Sequence, residues 1–142
     1  MKKTFQFLEG EILLINKPLH WTSFQLVNKL RWLIKRKLGI NKIKVGHAGT
    51  LDPLASGLMI ICTGKKTKEI SQYQAAEKEY IATLKLGATT SSYDGETEEA
   101  YFYPTKHISK EFIMSVCDQF IGEIEQLPPI FSAIKVKGKK LY

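Results

Sequence analysis

The sequence predicts an α+β fold: a mixed, mostly antiparallel sheet flanked by helices, in a single domain covering residues 1–142. Three observations lead there. Strand-like and helix-like runs are interleaved without strict alternation. A length of 142 residues suits one ordinary domain, and no repeat, low-complexity tract or Pro/Gly/Ser-rich linker divides it. Hydrophobic residues make up 44% and charged residues 25%, the balance of a globular chain with a core to bury.

Taken in order, Glu11–Asn16 is a short apolar run stopped by Lys17-Pro18, a strand ending in a turn. Thr22 opens a helix, with Gln25 completing a capping box and Trp21 placed to staple onto Leu26. Val27, Leu30, Ile34 and Leu38 form its apolar stripe, and Gly39 ends it. Val45–Gly57 is a glycine-rich loop. It feeds a buried strand at Leu58–Cys62 and a short helix at Thr67–Ala75. Tyr80–Leu86 alternates apolar and polar residues, the period of a strand. Acidic, turn-like Asp94–Glu99 precedes an edge strand near Ala100–Tyr103, and Ser109 starts a helix reaching about Phe120. Strands follow at Ile121–Glu125 and Ile130–Val136, divided by Pro128-Pro129. Lys137-Gly138-Lys139 reads as a turn, and the uncapped Lys140-Leu141-Tyr142 reads as the cut edge of a longer protein.

The net charge is +7, and the excess is clustered. Seven basic residues and no acid lie between Lys29 and Lys44: Lys29, Arg31, Lys35, Arg36, Lys37, Lys42 and Lys44. Lys65, Lys66 and Lys68 form a second group, and Lys135, Lys137, Lys139 and Lys140 a third. Any one cluster suits a solvated face, but three without internal acids point to a phosphate-binding surface. A membrane partner is not expected, since the longest apolar run, Leu58–Cys62, is far too short to span. Met1-Lys2-Lys3 is like the start of a signal peptide, but Glu9 cuts off any apolar region behind it. Cys62 and Cys117 lack metal-ligand spacing and read as buried, reduced thiols of a cytoplasmic protein.

The densest signal is Gly46-His47-Ala48-Gly49-Thr50-Leu51-Asp52-Pro53-Leu54-Ala55-Ser56-Gly57. Its glycines allow tight turns, and Pro53 holds Asp52 extended and out of any helix interior. A carboxylate so placed can be a nucleophile, a general base or a turn-former. His47 can be a base, an RNA contact or a loop hydrogen-bonder. A phosphate-loop hydrolase reading of Gly57…Gly64-Lys65-Lys66-Thr67 fails, because six residues separate the glycines and Lys66 stands where Ser or Thr is required.

Gly46–Gly57 closely resembles the signature loop of the tRNA pseudouridine-55 synthase family. Leu13-Leu14-Ile15-Asn16-Lys17-Pro18 with Trp21-Thr22-Ser23 resembles that family's N-terminal motif. Lys78-Glu79-Tyr80 with Leu84-x-Leu86-Gly87 resembles its tyrosine-bearing strand, and Gln126-x-Pro128-Pro129-x-x-Ser132-Ala133-x-Lys135 with Gly138–Tyr142 a further block. In order and spacing the motifs cover nearly the whole chain. The resemblance implies a pseudouridine synthase catalytic domain incomplete at its C-terminal end. It also implies isomerisation of uridine 55 in the T-loop of tRNA, by glycosidic bond cleavage and rejoining through carbon. Asp52 is then the catalytic carboxylate, and Tyr80 stacks on the target base and assists proton transfer. His47, Gly49, Thr50, Lys65 and Lys68 bind the RNA, His47 at the place where the flipped nucleotide has left its stack, and Lys17 and Pro18 shape the fold near the site. No metal and no cofactor is implied, the partner is the tRNA T-arm, and the protein is expected to be a monomer.

Two departures stand out. Where the family motif usually has Gly after Lys-Pro-x, this chain has His20, which is strained if that turn needs a positive φ. The family also continues past the position of Tyr142, through strands that supply an arginine partner for the aspartate. The 142 residues alone are therefore expected to be inactive, and the full-length protein an enzyme. A non-catalytic RNA-binding module or tRNA chaperone is the alternative; its tRNA binding would survive Asp52→Ala.

Overall fold

A computed structural model describes residues 4–127, together with the backbone of 135–136 and 139–140. The chain forms two compact units, Met1–Tyr80 and Ile81–Tyr142.

In the first unit, the sixteen-residue helix α1 (Ser23–Leu38) packs on a three-stranded sheet. Both halves of the capping box at its start are made: Gln25 N–H donates to Thr22 Oγ1 at 3.0 Å, and Thr22 N–H to Gln25 Oε1 at 2.7 Å. Gly39 ends it in the left-handed region at φ 64°, its N–H returning to the Lys35 carbonyl. Leu26, Val27 and Ile34 are buried, whereas Leu38, the last of the expected stripe, is exposed.

The sheet has the order β1 (Ile12–Lys17), β3 (Gly57–Thr63), β2 (Val45–His47), with both pairs antiparallel. Ile12 faces Cys62 and Lys17 faces Gly57 across β1–β3; Val45 faces Thr63 across β2–β3. Leu26, Val27, Ile34, Val45, Met59 and Ile61 form the core, with Leu13, Ile15 and Leu51 packed against it. Leu14 and Leu58 alternate onto the exposed side, as the two-residue strand period requires. Each fully buried aliphatic side chain contributes about 1.5–3 kcal/mol, so this layer is what holds the loop between β2 and β3 in place. The short strand β2 lies inside the stretch expected to be loop throughout. After Thr63 the chain turns through a 3-10 helix (Gly64–Glu69) into α2 (Ile70–Gln74), a tighter path than the single helix expected there.

The second unit has β4 (Ala88–Thr90) paired antiparallel with β5 (Glu99–Phe102), then α3 (Lys110–Cys117) and a 3-10 turn at Asp118–Phe120. Ser109 caps α3, accepting from Phe112 N–H at 3.1 Å. Farther on, β6 (Lys135–Val136) pairs with β7 (Lys139–Lys140).

Several expectations need correction. Tyr80–Leu86 is not a strand: it forms no ladder with any described residue, and Tyr80, Ile81 and Leu84 are exposed. Alternation alone makes a strand only where a neighbouring backbone takes up its N–H and C=O groups. Ile121–Glu125 likewise forms no strand, for the same reason. Of Ile130–Val136, only Lys135 and Val136 fall within the described residues, as part of β6; the expected turn residues Lys137 and Gly138 fall outside them. Cys117 is exposed, because α3 buries none of its residues; Cys62, in the middle of the first sheet, is buried as expected.

Candidate catalytic loop and basic face

The loop from Gly49 to Ser56 is short of regular structure but rich in backbone anchors. Ala48 N–H donates to the Ile60 carbonyl at 2.9 Å, prolonging the β2–β3 pairing by one step. Gly49 at φ 115° and Gly57 at φ 140° then turn the chain out of β2 and back into β3, in a region that disfavours any side chain. Ala55 N–H donates to the Asp52 carbonyl at 3.0 Å, closing a turn with Asp first and Pro second, the positions each favours.

The residues on either side of Asp52 are fixed to the start of α1 and to the turn before it. Ser23 Oγ donates to the Leu51 carbonyl and accepts from the Leu51 N–H, each at 2.9 Å. His20 N–H donates to the Pro53 carbonyl at 2.7 Å. Leu51 also packs against the core. With both neighbours fixed, the position of the Asp52 backbone is set. Its side chain is exposed, and no described residue hydrogen-bonds or ion-pairs with the carboxylate.

The 18–21 turn is held in its own way. Lys17 is fully buried, and its Nζ donates to the carbonyls of Trp21 at 2.6 Å and Pro18 at 3.1 Å. A buried ammonium needs such acceptors. Lys17 thus shapes the fold beside the loop, as expected, and His20 has the positive φ, 63°, that its place in the motif raised as a question.

His47, half-buried at the end of β2, has Nδ1 2.5 Å from the Gly49 carbonyl. A carbonyl only accepts, so Nδ1 carries a proton and Nε2 is left for another partner. Gly49 and Thr50 follow on the same loop. Tyr80 lies on an exposed segment without regular structure, and no hydrogen bond or ring contact among the described residues joins it to Asp52. Lys65 and Lys68 are not at the loop. They line a cavity of about 650 Å³ with Arg31, Lys35, Lys42 and Lys44, and Asp52, His47 and Tyr80 are not part of it. The Gly64 and Lys44 backbones join there, Gly64 N–H donating to the Lys44 carbonyl at 2.9 Å.

Two lysines of the second basic cluster are paired with acids. Lys65 pairs with Glu9 at 2.6 Å on an exposed surface. Lys66 pairs with Glu69, whose hydrogen bond and charge push the ammonium pKa up. Burial pushes the Cys62 thiol up, with the Glu69 carboxylate adding to it against Lys66. In the sequence Ser23 stands out only as part of the Trp21-Thr22-Ser23 motif, and its clamp on Leu51 is not foreseen there. The one available signal was a small hydroxyl residue at the first position of a helix, which more often serves the helix itself.

Fold and loop together define a class: an α+β domain that presents one carboxylate on a braced, glycine-bounded turn, with cations gathered on the same unit. Residues 35–142 match the profile of the TruB family pseudouridylate synthase (N terminal domain), and the chain belongs to that family. The tRNA pseudouridine synthase B of Phocaeicola vulgatus is 62% identical over 136 residues, which cover 96% of this chain and 58% of that protein. The proteins of the same name from Parabacteroides distasonis and Flavobacterium johnsoniae are 60% and 58% identical, over 96% of this chain and 58% and 60% of their own lengths. The chain thus spans about three-fifths of the length of these relatives. Among the described residues, no helix is long and apolar enough to cross a membrane.

Proposed function

We propose that the protein carrying this chain converts uridine 55 in the T-loop of tRNA to pseudouridine, and that residues 1–142 are part of one catalytic domain. The observation that carries the reading is the brace on Asp52: Leu51 is fixed to Ser23 and Pro53 to His20, while the carboxylate between them stays exposed. A turn-former alone does not need both flanks anchored to a second element. The family membership and the names of the relatives support the same substrate and reaction.

The product is an isomer of uridine, so the reaction exchanges one bond for another. The C1′–N1 bond breaks, the uracil turns, C5 bonds to C1′, and the C5 proton is replaced by one at N1. Asp52 acts at the sugar, either by adding to C1′ or by removing a sugar proton. Tyr80 supplies a ring face for the base and a hydroxyl for the proton at C5. The nucleotide has to leave its stack to reach the loop. His47 Nε2, together with Gly49 and Thr50, contacts the backbone where it has left. Lys65 and Lys68 bind phosphates farther along. In this reading the enzyme works in the cytoplasm as a monomer, and the 142 residues alone are inactive.

The test uses the intact protein and an unmodified T-arm stem-loop, with pseudouridine scored by chemical modification and primer extension. Product at the T-loop uridine that disappears in Asp52→Asn supports the reading. Binding of tRNA without product, in wild type and variant alike, supports a non-catalytic RNA-binding module instead.

A further inference from the structure

We propose that the cavity between α1 and the 3-10 helix at Gly64–Glu69 is a separate binding site for RNA phosphates, away from the nucleotide presented to Asp52. The inference rests on the tRNA reading above and adds to it a second contact region built from Arg31, Lys35, Lys42 and Lys44.

Six cationic side chains line this one concavity: Arg31, Lys35, Lys42, Lys44, Lys65 and Lys68. They come from three places in the sequence, and the fold gathers them. Arg31 and Lys35 sit one turn apart on α1, Lys42 and Lys44 lead into β2, and Lys65 and Lys68 follow β3. Glu9 neutralises Lys65; Lys35, Lys42, Lys44 and Lys68 have no acid partner among the described residues. Arg31 is held in place, Nη1 donating to Asn28 Oδ1 at 2.6 Å and Nη2 to the Val45 carbonyl at 3.0 Å. Its remaining N–H groups are left for a ligand. Like charges held together in this way repel one another, and a polyanion with its condensed counterions relieves that repulsion.

The topology determines what kind of anion fits. The cavity adjoins Gly64, just past the last residue of β3, and the Asp52 loop enters at its first, Gly57. Six steps along a strand span about 20 Å. A single nucleotide does not bridge that distance, whereas the backbone of a folded RNA does. The ligand is therefore the phosphodiester chain of the same RNA whose uridine lies at the loop, held about one strand length away.

The test compares the intact wild-type protein with the combined variant Lys35→Gln, Lys42→Gln, Lys44→Gln, and with the same three positions changed to Arg. All three side chains are at least partly exposed, and melting curves check that each variant is folded. Binding to unmodified tRNA is measured across salt concentrations. Each lost phosphate contact removes roughly 0.7–0.9 from the slope of log K against log[salt], so the Gln variant should show a slope shallower by about 2 and binding weaker by about tenfold or more at low salt. The Arg variant should match wild type, and a short single-stranded oligonucleotide carrying the target uridine should bind all three alike. Parallel slopes with equal affinities, in a wild-type protein that does modify tRNA, overturn the cavity site alone. Failure of the wild-type protein to bind tRNA overturns both this site and the function on which it rests.

Discussion

Ser23 Oγ makes two 2.9 Å hydrogen bonds to Leu51, giving one to its carbonyl and taking one from its N–H. Ser23 is 4% exposed and Leu51 immediately precedes Asp52, so this hydroxyl fixes the backbone from which the carboxylate projects. Ser23→Ala leaves both backbone groups without their partner, at about 1–3 kcal/mol of stability. Displacement of the loop should lower kcat by about tenfold to a hundredfold, while KM for tRNA changes by less than about twofold. A loss of stability with kcat intact would reduce Ser23 to a structural role.

His20 adopts φ 63°, where a β-carbon is strained, and among the described residues only its backbone N–H is hydrogen-bonded, to the Pro53 carbonyl. Removing the side chain relieves about 1–2 kcal/mol of left-handed strain and costs about 0.4–1 kcal/mol through the freer unfolded chain. The first term is larger. His20→Gly should therefore raise the urea midpoint, by the equivalent of about 0.5–1 kcal/mol, and a lowered midpoint would mean the imidazole makes a compensating contact.

Much of the first unit was legible in the residues themselves. The capping box at Thr22, the stop at Gly39 and the runs that became β1 and β3 are local signals, and local physics decides them. What depended on distant partners was not. Val45–His47 is a strand only because β3 passes beside it, and Tyr80–Leu86 fails to be one because no described strand does. The same limit applies at the site. Asp52 could be picked out from its neighbours in sequence, but its brace comes from residues 28 and more positions away, and the two basic clusters share one cavity only after β2 and β3 have paired. Lys65 and Lys68, expected to bind RNA, line that cavity and not the Asp52 loop.

The two cysteines should differ sharply in reactivity. Cys62 is completely buried, and burial raises its pKa further from neutrality, so it stays a protonated thiol; Cys117 is exposed. An alkylating reagent at pH 7 followed by peptide mass mapping should label Cys117 in the native protein, and Cys62 only after denaturation. Rapid native labelling of Cys62 would show that the first sheet opens easily.

Asp94 organises the turn between β4 and β5, accepting from Ser92 Oγ at 2.6 Å and from Glu96 N–H at 2.9 Å. The Ser92 hydroxyl, then the Glu96 N–H, hold its carboxyl below the ordinary value of 3.8. A depressed folded-state pKa stabilises the turn above the unfolded value, and this is lost as pH falls through the lower folded one. Amide exchange at Glu96 should therefore remain slow down to about pH 4 and lose its protection below that. Asp94→Asn should weaken the protection at neutral pH. Protection that does not change between pH 5 and pH 2 would contradict this role for the carboxylate.

The most direct measurement is the rate of pseudouridine formation on an unmodified T-arm by the intact protein and by its Asp52→Asn variant, with tRNA binding recorded for both. The expected result is a loss of at least about 10²–10⁴-fold in rate with binding retained, because the amide keeps the shape of the carboxylate without its charge or basicity. Equal rates in the two proteins would remove Asp52 from the chemistry, and with it the reason for a loop braced at both flanks.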